Sequence, residues 1–123
     1  GVDDPVCHSV DFRDKRLRSS VLVEVGGKTI VIDTGPDFRQ QMLRERVSHL
    51  DAVLFTHQHK DHTAGLDDIR SFYFRQGHNI PVYATDQVIR QLHQEYAYMF
   101  AEHKYPGVAS VDIHPIQNNV PFH

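Results

Sequence analysis

Short apolar runs separated by turn-forming residues recur along this chain and predict extended segments. Five such runs are present: 21–25, 29–32, 51–55, 80–84 and 111–120. Gly26 and Gly27 separate the first two, as in a hairpin. The third run is almost unbroken in its apolar character, which indicates a strand covered on both faces. Pro81 in the fourth lacks a backbone N–H and favours the first strand position or a sheet edge.

Three other segments place apolar side chains at helical spacing: 37–46, 63–75 and 87–101. In the second of these, Leu66, Ile69 and Phe72 are each three residues apart. Strands and helices that alternate along a chain predict an α/β fold. A length of 123 residues is enough for one small domain with a modest core, spanning 1–123.

Composition and charge narrow the classes of function. Hydrophobic residues make up 40% and charged residues 24% of the chain, as in ordinary soluble proteins. The net charge of −3 gives no broad basic field, so nucleic acid is not the expected partner. No apolar stretch approaches the roughly 18 residues of a membrane span, so no membrane partner is expected. The single cysteine excludes an internal disulfide and predicts a reducing, cytoplasmic location.

A dense group of potential metal ligands follows the third apolar run. His57, His59, Asp61 and His62 fall within six positions. Alternate residues of an extended segment point to the same side, so the first two imidazoles can face one point. The chain has ten histidines, and an isolated histidine is usually a core or surface residue. Three of them beside an aspartate in one loop instead favour a site for zinc, manganese or iron.

The sequence His-Gln-His-Lys-Asp-His at 57–62 closely resembles the metal-binding signature of the metallo-β-lactamase superfamily of hydrolases. The sequence Ile-Val-Ile-Asp-Thr-Gly at 30–35 resembles the first motif of that superfamily. Residues 13–20 and 33–39 resemble the branch that contains phosphoribosyl cyclic phosphodiesterase. The resemblance implies a metallo-β-lactamase-like αββα sandwich.

The resemblance also implies a role for each residue of the motif. His57 and His59 would bind the first of two divalent metal ions, zinc or manganese in preference to iron. Asp61 and His62 would bind the second ion, and Asp61 would orient the nucleophilic water as the catalytic residue. Asp33 would hold the metal loop through hydrogen bonds without binding metal. Without the histidine motif, a helix cap would be the simpler role for Asp33.

Members of the superfamily are longer than this chain and consist of two similar halves packed sheet to sheet. The chain resembles the first half, so residues 1–123 are expected to be an incomplete, N-terminal part of the hydrolase domain. The further ligands of a complete site would lie in the second half. We therefore expect the fragment to bind metal weakly, to be inactive and to self-associate through an uncovered sheet face.

Two features near the start of the chain leave alternatives open. The basic run 13–18 is either a solvated turn or an anion-binding segment. Cys7 beside His8 is either a free, partly buried thiol or part of a structural zinc site like the one found in the phosphodiesterase branch. Val2 and Asp4 stand where that branch has cysteines, and valine cannot bind a metal.

Three functions follow from these observations. The leading one is a metal-dependent hydrolase, a phosphodiesterase that acts on a small cyclic or nucleotide-like phosphate through a binuclear metal site. The second is a tRNA-processing nuclease of the same superfamily, which would normally show a basic surface. The third, from a different class, is a non-catalytic metal-binding or scaffold module.

Overall fold

The computed structural model describes residues 2–122, and a five-stranded sheet forms the centre of the molecule. Its strands are β1 (Val21–Val25), β2 (Lys28–Ile32), β3 (Ala52–Leu54), β4 (Ile80–Ala84) and β5 (Val111–Pro115). The strands lie side by side in chain order. The first two form an antiparallel hairpin, and all later neighbours pair in parallel. Parallel neighbours need crossover connections, which supply the helices and confirm the predicted α/β fold.

Short helices precede the sheet and fill its crossover connections. Within residues 2–122 they are α1 (Pro5–His8), α2 (Phe38–Arg44), α3 (Lys60–Thr63), α4 (Arg70–Gln76), α5 (Asp86–Glu95) and α6 (Ala97–Phe100). Single turns of 3₁₀ helix span Phe12–Asp14 and Leu66–Ile69. In the part of the chain that the structure describes, none of these helices has the length and apolar character needed to cross a membrane.

The apolar core lies on one face of the sheet. It is anchored by valines at matching register positions of three central strands: Val31, Val53 and Val82. Phe38 of α2 and Leu66 belong to the same buried cluster. Successive strand residues point to opposite faces, so Ile30, Leu54 and Tyr83 lie on the other face, where each is only partly buried. The crossover helices therefore cover the valine face.

Two of the predicted helices are interrupted in the structure. The expected helix 63–75 is divided into α3, a 3₁₀ turn and α4, with Gly65 at the division. The expected helix 87–101 ends at Glu95, and α6 begins after Tyr96, whose φ of −116° and ψ of 36° are not helical. Tyr96 donates a hydrogen bond to the carbonyl of Thr63, so a tertiary contact holds this break. Apolar spacing alone gave no sign of either interruption.

The strand predictions need smaller corrections. An edge position for Pro81 is wrong, because β4 lies between β3 and β5. Pairing of β4 with β3 begins at Val82, however, so Pro81 is paired only with Asp112 of β5. The last extended stretch forms a strand only over Val111–Pro115. The irregular region before β1 contains α1 and one 3₁₀ turn.

A close approach of two glycines joins the loop after β2 to the loop after β3. Gly65 donates its N–H to the carbonyl of Thr34 over 2.8 Å. A Cβ atom on Gly65 would lie 2.7 Å from Cβ of Phe38 and closer still to the carbonyl oxygen of Gly35. A Cβ atom on Gly35 would lie 2.5 Å from the carbonyl oxygen of Asp61. Only residues without a side chain allow the two loops to pack this tightly.

We expect Gly65→Ala to lower the free energy of unfolding by about 2 to 3 kcal/mol, because backbone atoms would have to move to admit the methyl group. Gly107→Ala is the matched control, since a Cβ there meets nothing closer than 3.6 Å. Urea denaturation followed by circular dichroism measures both. Equal stabilities for the two variants would contradict the proposed crowding.

Asp51 fastens the start of β3 to the start of β2. Its carboxylate accepts hydrogen bonds from the Thr29 N–H over 2.8 Å and from the Lys28 ammonium over 2.9 Å. Its own N–H donates to the carbonyl of Thr29. Burial by itself raises the pKa of Asp51, but the hydrogen bonds from Thr29, Lys28 and His49 outweigh burial and hold this pKa below its usual value.

The lowered pKa of Asp51 predicts a pH-dependent stability. The contribution is fully present above the unfolded pKa of about 3.9 and is lost as the pH falls through the folded value. We expect Asp51→Asn to cost about 1 to 2 kcal/mol at neutral pH and progressively less below about pH 4. Urea denaturation across this pH range measures it, with the exposed Asp3→Asn as the control. A cost that does not change with pH would contradict the prediction.

Candidate metal centre

The loop that leaves β3 brings three of the predicted ligands together. Phe55 is buried, and its N–H bonds to the carbonyl of Tyr83, which fixes the start of the loop against β4. Beyond it, His57, His59 and Asp61 each offer one ligand atom, and these atoms all lie within 4.8 Å of one another. The two imidazole rings meet edge to face, with centroids 4.8 Å apart. His57 is partly buried, whereas the other two side chains are exposed, so the group opens to solvent.

His62 adjoins this group from the end of α3. Its ring centroid lies 3.8 Å from that of His57. Its Nε2 atom lies 3.5 Å from Oδ2 of Asp61, while its Nδ1 atom lies 2.7 Å from Oδ2 of Asp33. The predicted fourth ligand therefore turns one nitrogen toward Asp61 and the other toward the protein interior.

Asp33 is the buried anchor of the loop. It directly follows β2 and adopts a left-handed backbone conformation, with φ of 64°, which is uncommon outside glycine. Its Oδ1 accepts the Thr56 N–H over 2.8 Å, and its Oδ2 accepts the Thr56 hydroxyl over 2.6 Å. The alternative role as a helix cap is excluded, since Asp37 occupies the N-cap position of α2. The hydrogen bonds implied for Asp33 by the resemblance are present, and a role toward metal stays a prediction.

A neutral imidazole carries its proton on one of two nitrogens, and these hydrogen bonds determine which nitrogen that is. A carboxylate only accepts, so Nδ1 of His62 must donate to Asp33 and leave its Nε2 lone pair free. The Thr56 hydroxyl gives its proton to Asp33 as well. It must then accept from Nδ1 of His57, 3.1 Å away, which leaves the Nε2 lone pair of His57 free. A ligating histidine in metal sites commonly donates its other ring N–H in this way.

Lys60, the one cation inside the 57–62 loop, points away from the ligand group. Its ammonium lies 2.8 Å from Oε2 of Glu95 and 5.5 Å from the centre of the Tyr96 ring. The hydroxyl of Tyr96 in turn donates to the carbonyl of Thr63 over 2.7 Å. Glu95 and Tyr96, at the junction of α5 and α6, thus hold α3 in place through Lys60 and Thr63. The positive charge of Lys60 faces a carboxylate and not the candidate ligands.

The surroundings of this contact shift two pKa values. Burial favours the neutral acid of Glu95, yet hydrogen bonds from Lys60 and Gln91 lower the pKa of Glu95 below its usual value. Burial, together with the nearby charges of Asp67 and Glu95, raises the pKa of Tyr96 to about 12. The glutamate thus stays charged and the tyrosine stays a hydrogen-bond donor at neutral pH.

The donor chemistry fits a divalent metal ion. Neutral imidazole nitrogens and a carboxylate are ordinary ligands of zinc, manganese and iron. Ligation requires neutral imidazoles, and in neutral His57 and His62 these hydrogen bonds leave the lone pair on Nε2. Cys7 does not belong to the group: its thiol is exposed, so the expected partial burial of this residue is wrong. Within residues 2–122, His57, His59 and Asp61 are the group of side chains with metal-ligand spacing.

Sequence reasoning singled out the candidate ligands but missed two residues that contact the 57–62 loop. Thr56, which connects Asp33 to His57 by hydrogen bonds, directly precedes the motif, and this position is the one signal of it in the sequence. Glu95 lies 35 positions from Lys60, and nothing in its sequence surroundings indicates the pairing. His93, outside this group, is exposed and packs its ring on Phe100.

Known proteins resemble this chain over nearly its whole length. An octanoyltransferase of Porphyromonas gingivalis is 41% identical over 118 residues, which cover 95% of this chain but only 24% of that protein. The crystal structure of a diphosphatase from the PhnP family matches with a TM-score of 0.84 and 40% identity, over 97% of this chain and 44% of that one. The chain therefore spans less than half the length of these relatives.

A more distant structure shares the fold. Zinc-bound PqqB of Methylobacterium extorquens matches with a TM-score of 0.71 and 24% identity, over 96% of this chain and 44% of that one. The family model described as the beta-lactamase superfamily domain matches residues 28–123, which include Asp33 and the whole 57–62 loop. Because this match covers most of the sequence, the chain belongs to the beta-lactamase superfamily and has the metallo-β-lactamase-like fold.

Proposed function

We propose that this chain contributes to the active site of a metal-dependent hydrolase that cleaves a phosphodiester or diphosphate bond in a small, nucleotide-like substrate. The observation that carries the proposal is the 57–62 loop, in which three ligand atoms lie within 4.8 Å of one another. Asp33 and Thr56 fix two imidazoles of this loop with free Nε2 atoms. The similarity to a PhnP-family diphosphatase supports phosphate chemistry.

In this proposal His57 and His59 hold one metal ion, while Asp61 and His62 hold a second. Bound divalent ions supply Lewis acidity toward a phosphoryl oxygen and lower the pKa of a bound water. The exposed carboxylate of Asp61 accepts a hydrogen bond from the attacking water and so orients it. Zinc and manganese suit this donor set, and zinc is the metal in the PqqB relative.

Four protein ligands are few for two metal ions, since even one structural zinc ion takes four. The chain spans 44% of the diphosphatase, so further ligands and most of the substrate pocket are proposed to come from outside the described residues. By itself the chain would then bind metal weakly and turn over slowly. We also propose a cytoplasmic location, because a free thiol such as that of Cys7 is typical of reducing compartments. Such a location suits a small phosphorylated substrate.

The function is tested by hydrolysis of bis(p-nitrophenyl) phosphate and ADP-ribose by the full-length protein, with zinc or manganese added. We expect activity that chelation removes, and a loss of about 1,000-fold or more in kcat/KM for His59→Ala, because a metal ligand is lost. The exposed His93→Ala is the matched control and should keep its activity.

Each other result of this assay counts against the proposal. Cleavage of a tRNA precursor without hydrolysis of the small esters would favour the nuclease alternative. Metal binding without turnover of any of these substrates would favour a scaffold module. Full activity in His59→Ala would exclude the 57–62 loop as the catalytic centre.

Asp33→Asn tests the hydrogen bonds that orient the imidazoles, without removing any candidate metal ligand. The side-chain amide can donate but cannot accept through its nitrogen, so Thr56 and His62 lose a shared acceptor. We expect zinc affinity to fall by about 10- to 100-fold, measured by competition with a chromophoric chelator. The exposed Asp86→Asn serves as the control. An unchanged affinity in a folded Asp33→Asn protein would show that these hydrogen bonds do not prepare the site.

A further inference from the structure

The basic segment before β1 forms a concave surface that the proposed metal centre does not account for. The surface borders an open cavity of about 430 Å³ that is lined by ten residues, eight of them between Phe12 and Ser20 and the other two being Gln41 and Arg44. Five of these ten carry positive charge and none carries negative charge: Arg13, Lys15, Arg16, Arg18 and Arg44. We call this surface the basic cavity.

The charges in the basic cavity are only partly neutralised. Arg13 pairs with Asp11 at 2.6 Å, and Arg44 pairs with Glu45 at 2.7 Å. Arg16 and Arg18 form no ion pair with any described residue. Other arginines of the chain are also unpaired, so what distinguishes these two is their convergence on one cavity without a lining carboxylate. Such a surface attracts phosphate, which arginine binds through two parallel hydrogen bonds.

The backbone of the basic cavity is fixed by hydrogen bonds to the rest of the protein. The N–H of Arg18 donates to Oδ2 of Asp37 over 2.8 Å, and its carbonyl accepts from Nε2 of Gln41 over 2.7 Å. The hydroxyl of Ser20 donates to the carbonyl of Asp33 over 2.8 Å. A segment held in this way keeps its side chains near one place, unlike a freely solvated turn.

The same contacts place the basic cavity next to the metal centre. Ser20 bonds directly to Asp33, whose carboxylate holds the 57–62 loop. A Cβ atom on Gly35 would lie 3.6 Å from Cβ of Arg18 and 2.5 Å from the carbonyl oxygen of Asp61. The side chain of Arg18 therefore begins beside the loop that carries the candidate ligands.

The lining of the basic cavity also includes an aromatic ring. Phe12 lines the cavity and is 82% exposed. An exposed ring beside arginines offers a stacking surface for a nucleobase. From these observations we infer that the basic cavity binds the part of a nucleoside diphosphate that is remote from the scissile bond. Arg16 and Arg18 hold a phosphate, and Phe12 stacks on the base.

This inference rests on the proposed function for its substrate, but its test does not need catalysis. The probes are ADP and inorganic pyrophosphate, and binding to the chelator-treated, metal-free protein is measured by titration calorimetry. We expect Arg16→Gln/Arg18→Gln to weaken ADP binding by about tenfold or more. Phe12→Ala should weaken binding of ADP while leaving that of pyrophosphate unchanged. The matched control is Arg70→Gln/Arg90→Gln, which removes two exposed charges away from the cavity.

The outcomes separate this inference from the proposed function. Equal weakening in the two double variants would mean that only net charge matters, and the basic cavity would be a solvated turn. Failure of the wild-type protein to bind either probe would also overturn the inference. The wild-type protein could also bind ADP through the cavity arginines and yet show no hydrolytic activity. That result would support the basic cavity as a binding site and contradict the hydrolase proposal. Thermal melting of each variant confirms that these exposed substitutions leave the fold intact.

Discussion

The hydrogen bonds of the Asp33 carboxylate are the interaction on which the candidate site depends. One buried side chain, at the end of β2, binds Thr56 and His62 on either side of the motif. Since β2 and β3 are parallel neighbours, the loops after them meet at the same edge of the sheet. The left-handed backbone at Asp33 turns its carboxylate onto the loop after β3. The topology of the sheet thus places Asp33 where it accepts a hydrogen bond from His62 and, through Thr56, orients His57.

The remaining contacts keep the 57–62 loop in position from its other sides. Gly35 and Gly65 let the backbones of the two loops pack together where any Cβ atom would collide. Glu95 takes the charge of Lys60 away from the ligands, and Tyr96 binds the last turn of α3. A lysine among cation ligands would oppose metal binding if its ammonium faced them. The ion pair with Glu95 explains how the motif accommodates it.

Local sequence patterns predicted much of this architecture, and their failures share one cause. Apolar runs located all five strands, because burial is visible within a few residues. The breaks at Gly65 and Tyr96 escaped prediction because they depend on partners in other elements, Gly35 and Thr63. The candidate ligands were evident from their spacing in the sequence. The hydrogen bonds of Asp33 to the loop were implied only by a family resemblance. The hydrogen bond between Thr56 and His57 could not be predicted from sequence, because it depends on the distance between two specific atoms in the folded protein.

The hydrogen bonds at Asp33 act against the strain of its left-handed backbone. A non-glycine residue in the left-handed region costs about 1 to 3 kcal/mol. Three hydrogen bonds to the carboxylate, each contributing about 1.5 to 3 kcal/mol, more than offset this cost. These contacts within the protein hold the 57–62 loop at Thr56 and His62. Metal affinity should also depend on how many ligands converge on this loop.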